Sequence, residues 1–180
     1  MPEIEIRPGI ETDIPTLIKL DHSYTSDYVW QMDLQVDATQ AKAHFREVRL
    51  PRMVRVEYPR SAQSLVERWR ECSAFLVAVL EGEAVGYTCL FANFSPFTTW
   101  MTDLVVAGRL RRQGIGSALV LAAQDWVANH SKSRRLVFAM QPKNFPAINL
   151  SQKLGFDFCG YNDHYYPNQD IAIFFEKWFG

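Results

Sequence analysis

The feature that most constrains this chain is a basic turn set between an apolar strand and an amphipathic helix. In Val105-Val106-Ala107-Gly108-Arg109-Leu110-Arg111-Arg112-Gln113-Gly114-Ile115-Gly116-Ser117-Ala118 a strand pattern ends, arginines follow, and two glycines open a helix. Ile115, Ala118, Leu119, Ala122, Trp126 and Val127 then form one apolar stripe, so this helix must lie against a core. Glycine permits close backbone approach, and the free N–H groups of a first helical turn carry partial positive charge. With Arg111 and Arg112 beside them, the turn suits a phosphate or pyrophosphate. It is not a Walker A loop, because five residues separate Gly108 from Gly114 and Ile115 follows where Lys is required. Nor is it a dinucleotide fingerprint, whose third glycine would fall at Leu119.

The strand before this turn belongs to a longer series. Glu3–Arg7 alternates as a strand, and Thr12-Asp13-Ile14-Pro15 starts a helix. Phe75–Leu80 and Ala84–Phe91 flank Glu81-Gly82-Glu83 as a hairpin. Trp100–Val106 alternates, with Met101, Asp103 and Val105 assigned to one face. Leu136–Met140 is a short apolar strand, and Pro146–Leu154 is a helix closed by Gly155. Phe156–Tyr161 and Ile171–Trp178 read as a closing strand pair. The order predicts an α/β (α+β) domain with a mixed central sheet flanked by helices. At 180 residues and 48% hydrophobic, one domain spanning 1–180 is expected, and no apolar run is long enough to cross a bilayer. A long insert at about 23–72 carries strand alternation at Tyr28–Val36 and Met53–Tyr58, with helical spacing at 38–49 between them.

Met-Pro-Glu-Ile-Glu-Ile is no signal peptide, and Cys72, Cys89 and Cys159 read as free thiols of a cytoplasmic protein. A net charge of −1 argues against a nucleic-acid partner, and nothing points to a membrane. The charge is unevenly placed. Residues 1–40 hold eight carboxylates against Arg7 and Lys19, whereas 42–70 hold eight basic residues against three glutamates. Two solvated faces that neutralise each other explain this, as does an acidic side for a cationic substrate beside a basic side for an anionic cofactor. His22, His44, His130 and His164 lack metal-ligand spacing, and no metal is expected.

The remaining pattern, Arg111-x-x-Gly114-x-Gly116, resembles the pyrophosphate motif of the GNAT superfamily of acetyl-CoA-dependent N-acetyltransferases. Asn144-Phe145-Pro146-Ala147-Ile148-Asn149-Leu150-Ser151-Gln152-Lys153-Leu154-Gly155-Phe156 is similar to that family's second block. Within the family the C-terminal half looks most like streptothricin acetyltransferases. The resemblance implies a sheet that splays at the cofactor strand. It places the pantetheine arm on Leu104, Val105 and Val106, the pyrophosphate on Arg111, Arg112, Gln113, Gly114, Ile115, Gly116 and Ser117, and Asn144 nearby. Acetyl-CoA is then a co-substrate, the acetyl group passing directly to a primary amine. A small cationic molecule is the expected acceptor; a peptide or protein amine, or a non-catalytic CoA-binding module, are the alternatives.

Two catalytic positions follow by the same resemblance. Asp103, the acid on the strand before the turn, is the candidate base or substrate anchor. Ser151 stands where the family has a tyrosine that protonates the departing thiolate, and a serine hydroxyl is a far weaker acid. Tyr28 and Trp30 of the insert, with Asp163 and His164 before the last strand, are the candidate acceptor contacts. The apolar faces of the insert are expected against the main sheet near the acceptor end, with a homodimer as the secondary way to cover them.

Overall fold

The computed structural model describes residues 3–130 and 132–180. Its elements begin with β1 (Ile4–Pro8), α1 (Ile14–Leu17), β2 (Tyr24–Val36), β3 (Ala41–Val56) and α2 (Leu65–Glu71). They continue with β4 (Ala74–Leu80), β5 (Glu83–Ser95), β6 (Thr98–Val106) and α3 (Ile115–His130). The last are β7 (Arg135–Met140), α4 (Phe145–Lys153), β8 (Asp157–Asn162) and β9 (Ala172–Trp178). Seven strands form a sheet in the order β1-β4-β5-β6-β7-β9-β8, and β2 pairs with β3 in a separate hairpin.

Alternation along β4 builds a core on each face of the sheet. Leu76 and Ala78 meet Ile115, Leu119, Ala123 and Val127 of α3, together with Ala147 and Ile148 of α4. Phe75, Val77 and Val79 face the other way, onto Ile14 and Leu17 of α1 and Leu65 of α2. The expected α/β fold with its mixed sheet is therefore present, every pairing being antiparallel except β6 with β7.

That parallel pairing decides where a ligand can enter. It runs from Thr98 opposite Arg135 to Met101 opposite Phe138 and stops there. Beyond Met101 the two strands part, so the Thr102–Val106 half of β6 has a neighbour only on its β5 side. The splay at the cofactor strand is thus a property of the sheet itself.

Two expectations from spacing need correction. Asp103 lies opposite Cys89 but Met101 lies opposite Leu90, so Thr102 is an extra residue in β6. This bulge turns Met101 into the α3 core, while Asp103 and Val105 stay toward α1 and α2. Strict alternation had put all three on one face. Residues 38–49, read as helical, instead form the turn and first half of β3. Asp37 reverses the chain by accepting from the Thr39 and Gln40 amides at 2.8 and 3.0 Å. Met32 then pairs with Phe45 and Trp30 with Glu47. A 13-residue β2 has a full ladder of backbone groups to satisfy, and that need outweighs weak local helical spacing.

The hairpin also resolves the charge asymmetry in the bland direction. Asp33 pairs with Arg46 at 3.6 Å, Asp21 with Arg55 at 3.3 Å and Glu11 with Arg70 at 2.7 Å. Acidic residues of the first forty thus pair with arginines of 42–70, both at the hairpin and between the N-terminal turn and α2.

Candidate active site

The turn after β6 has the geometry its glycines suggest. Ala107 N–H closes onto Val85 O, a short 3-10 turn spans Gly108–Leu110, and α3 begins at Ile115. Gly114 has φ +90°, a region L-residues avoid, and the place where its side chain would project is open space. The first amide bonded back into the loop is that of Ala118, to Gly114 O at 3.0 Å. The N–H groups of Gln113, Gly114, Ile115, Gly116 and Ser117 stand ahead of it without backbone partners among the described residues, an anion-receptive array. A Cβ on Gly116 would lie 3.5 Å from Leu150, so the first turn of α3 rests against α4. Asn144 caps that helix, its side-chain oxygen accepting from the Ala147 amide at 3.2 Å. The glycine turn thus sits between the Val106 end of β6 and Leu150 of α4, beside the place where β6 and β7 separate. These groups fit a pantetheine–pyrophosphate chain: unpaired strand edge, unpaired amides and an open approach at Gly114.

Arg111 does not belong to that array. Its Nε–H donates to Val106 O at 2.9 Å, and its terminal nitrogens donate to Ser23 O and Asp21 O at 2.7 Å each. Where the resemblance implies a phosphate contact, three backbone carbonyls take three of the guanidinium's five N–H groups. Arg109, Arg112 and Gln113 are the exposed polar side chains of the turn, and Arg109 reaches Glu83 at 3.4 Å.

Asp103 and Ser151 also sit in surroundings that argue against the expected chemistry. The Asp103 side chain is 1% exposed and accepts from Arg68 at 2.9 Å, Thr102 Oγ at 2.7 Å and the Tyr58 hydroxyl, with Arg60 at 3.4 Å. Burial opposes its ionisation, but the guanidiniums of Arg60 and Arg68 outweigh it and hold the carboxyl below the usual range. A carboxylate so neutralised is a poor proton acceptor and a strong structural anchor. The Ser151 hydroxyl is buried within α4 and donates to Ala147 O at 2.8 Å, so it has no open path to a thiolate.

On the α1–α2 side of β6 lies a cleft of about 580 Å³. Its walls are the α1–β2 connection (Leu20, Asp21, His22, Ser23), the β3–α2 connection from Glu57 to Ala62, and Pro167 and Asn168 before β9. His22 donates from Nδ1 to Leu20 O at 2.8 Å, which leaves Nε2 to accept from the Tyr87 hydroxyl at 3.1 Å. Burial lowers its pKa, and the nearby Leu20 carbonyl, Asp103 and Asp21 only partly offset this, so the imidazole is neutral near pH 7. Arg60 packs over Tyr166, and Tyr24 reaches Gln141 at 2.7 Å, carrying the wall across to the end of β7.

The sequence-based acceptor contacts do not line this cleft. Tyr28 stacks on Phe145 at 4.6 Å. Trp30 packs against Phe175 and Phe158 at 5.3 and 5.9 Å, under the hairpin. Asp163 and His164 are exposed in the β8–β9 connection, paired with each other. Sequence reasoning missed Asp21, His22, Tyr58 and Arg60. One signal pointed there: a lone acid on an apolar strand needs cations, and the basic stretch 42–70 is where they could come from.

Trp30 carries a direct test. Its indole N–H is buried without a partner among the described residues. Trp30→Ala is expected to cost roughly 3 kcal/mol, lowering Tm by about 6–12 °C. Trp30→Phe, which removes the orphaned donor, should lose far less. Thermal melts by circular dichroism measure both; a Trp30→Ala protein with native Tm and a raised acceptor KM would return this residue to the acceptor site.

Residues 41–156 match the model of the acetyltransferase (GNAT) family. An N-alpha-acetyltransferase of Sulfurisphaera tokodaii is 32% identical over 110 residues, 56% of this chain and 66% of that enzyme's length. A streptothricin acetyltransferase of Streptomyces lavendulae is 29% identical over 168 residues, 89% of this chain and 83% of the other. Among solved structures, a nourseothricin acetyltransferase superposes with a TM-score of 0.79 at 20% identity, covering 98% of this chain and 99% of that one. A Bacillus anthracis protein described as a streptothricin acetyltransferase, in complex with acetyl coenzyme A, gives 0.74 at 18% identity, covering 98% and 100%. At these identities the two structures establish the likeness of fold.

Proposed function

Because the chain belongs to the acetyltransferase (GNAT) family and is an acetyl-CoA-dependent N-acetyltransferase, we propose that its acceptor is a small cationic primary amine, bound in the cleft beneath β6. The observation that carries this reading is the pairing of two spaces across one strand. The unpaired edge of Leu104–Val106 and the amides of the glycine turn lie beside the place where β6 and β7 separate. The cleft lies on the α1–α2 side, where two rim carboxylates, Asp21 and Glu57, share the single guanidinium of Arg55 at 3.3 and 3.5 Å. Its volume is that of a small-molecule site. The streptothricin acetyltransferase relative, which covers most of the chain, supports the same acceptor class.

The chemistry asks little of the protein beyond placement and one proton. The ammonium must lose a proton before its nitrogen can attack the thioester carbonyl. Neutral His22 at the cleft wall is the acceptor we assign: its Nε2 takes the proton as the Tyr87 hydroxyl turns from donor to acceptor, an exchange that the arginine-held Asp103 does not offer. The N–C bond then forms as the C–S bond breaks. A thiolate with a pKa near about 8.5 leaves without full protonation, so the loss of tyrosine at position 151 is tolerable. Cys89 is buried, and neither Cys72 nor Cys159 lines the cleft, so transfer is direct rather than through an acyl-enzyme.

Calorimetric titration with CoA followed by an amine panel tests the proposal. Binding in the micromolar range and turnover of streptothricin or polyamines are expected. Turnover confined to peptide N-termini would replace the acceptor class with that of the Sulfurisphaera relative. No binding at millimolar CoA would sink the reading.

A further inference from the structure

The first arginine of the glycine motif turns its side chain onto the protein's own backbone. Its guanidinium bridges three carbonyls: Val106 O, at the end of the cofactor strand, and Asp21 O and Ser23 O, which are 90 and 88 residues away in sequence. The two distant carbonyls flank His22, and the Asp21–Ser23 segment is one wall of the cleft. Other contacts also reach this segment: the His22 ring lies edge-on to Tyr58 at 5.5 Å, and Tyr24 begins the β2–β3 ladder opposite Val56. Asp21 accepts from the Ser23 amide and hydroxyl at 3.0 and 2.6 Å, which shapes the segment internally, and Arg55 reaches Asp21 from an exposed position. His22 reaches Tyr87 on β5. A planar fork that serves three acceptors at 2.7–2.9 Å fixes distance and orientation together, which a lysine ammonium cannot reproduce.

We infer that Arg111 is a positioning residue for the acceptor site: it fastens the Asp21-His22-Ser23 wall to the end of the cofactor strand, and so presents the Asp21 carboxylate and the His22 imidazole to an incoming cation. The motif position thereby couples the two halves of the reaction mechanically, while the turn's backbone amides and the exposed Arg112 meet the anion. The inference rests on the acetyl-transfer reading for its kinetic consequence but not for its structural one.

Arg111→Gln and Arg111→Lys separate this role from phosphate binding. In both, the CoA Kd by calorimetry should stay within about twofold of the parent, because no phosphate contact is lost. Amide hydrogen exchange over residues 20–26 should quicken at least about tenfold in Arg111→Gln and less in Arg111→Lys, whose longer side chain keeps a cationic donor within reach of one of the carbonyls. With streptothricin as probe, acceptor KM should rise about tenfold or more, with a smaller change in kcat. A CoA Kd weakened tenfold and steeply salt-dependent, with exchange over 20–26 unchanged, would overturn the inference and make Arg111 a phosphate ligand. Unchanged exchange with unchanged KM would overturn it too. If the parent protein itself fails to bind CoA, the functional reading falls, while the exchange measurement still decides whether Arg111 holds the wall. Should Arg111→Gln not fold, Arg111→Lys gives the same contrast.

Discussion

Gly114→Glu is expected to abolish CoA binding, by more than about a hundredfold in Kd or roughly 2.7 kcal/mol, while leaving the fold in place. Three effects act in one direction. At φ +90° a side chain strains the turn, by roughly 1–3 kcal/mol, and so displaces the amides that follow. The Cβ would project into open space, which is the approach a pyrophosphate needs. The carboxylate would then occupy the amide array itself, since a helix N-terminus favours any anion that reaches it. Gly116→Ala is the informative contrast. Its Cβ would meet Leu150 at 3.5 Å, an ordinary contact, so stability should be native and CoA binding only moderately weaker. Calorimetry with matched circular dichroism spectra checks both. A Gly114→Glu protein with native CoA affinity would mean that the pyrophosphate lies elsewhere.

The second large effect is on stability. Asp103→Asn leaves Arg60 and Arg68, 13% and 22% exposed, as partly buried cations without their counter-ion. Breaking such a buried pair from one side typically costs about 3–5 kcal/mol, which lowers Tm by about 6–20 °C in a protein of this size. The pH dependence carries the signature. A carboxyl whose folded pKa is depressed stabilises the fold above its unfolded pKa of about 3.9, and the contribution disappears as pH falls through the folded value. The gap in unfolding free energy between parent and Asp103→Asn should therefore be flat from pH 6 to 8 and narrow below about pH 4. Denaturant titrations across that range measure it. A variant with native stability and lost turnover would restore Asp103 as a catalytic base.

Several parts of this protein are readable from local spacing because the physics there is local. A glycine before a helix, alternation along β4 and β5, and a proline at the start of α4 each need only neighbours within a few residues. The motif's backbone geometry was legible for that reason. So was the mixed sheet, because each strand announces its own buried face. The β6 bulge was not, since an extra residue at Thr102 changes no residue type and only the pairing with Cys89 and Leu90 reveals it. The segment 38–49 misled because Phe45 and Val48 satisfy a helical spacing, while the backbone demand of β2 decides the outcome.

Sequence by itself determined the glycine turn and the amides of α3, which follow from residue types in a fixed local order; the unpaired end of β6 came from the sheet, where its pairing with β7 stops at Met101. Tertiary structure alone decided what the charged side chains do. Asp103 reads as a free acid until Arg68 and Arg60 arrive from 35 and 43 residues away, and Arg111 reads as a phosphate ligand until the carbonyls of Asp21 and Ser23 close on it. The reason is reach. Backbone conformation is set by steric rules within a turn or two, whereas a long charged side chain finds whichever partner the fold brings within about 3 Å, and in a low-dielectric interior that partner sets its protonation and its role.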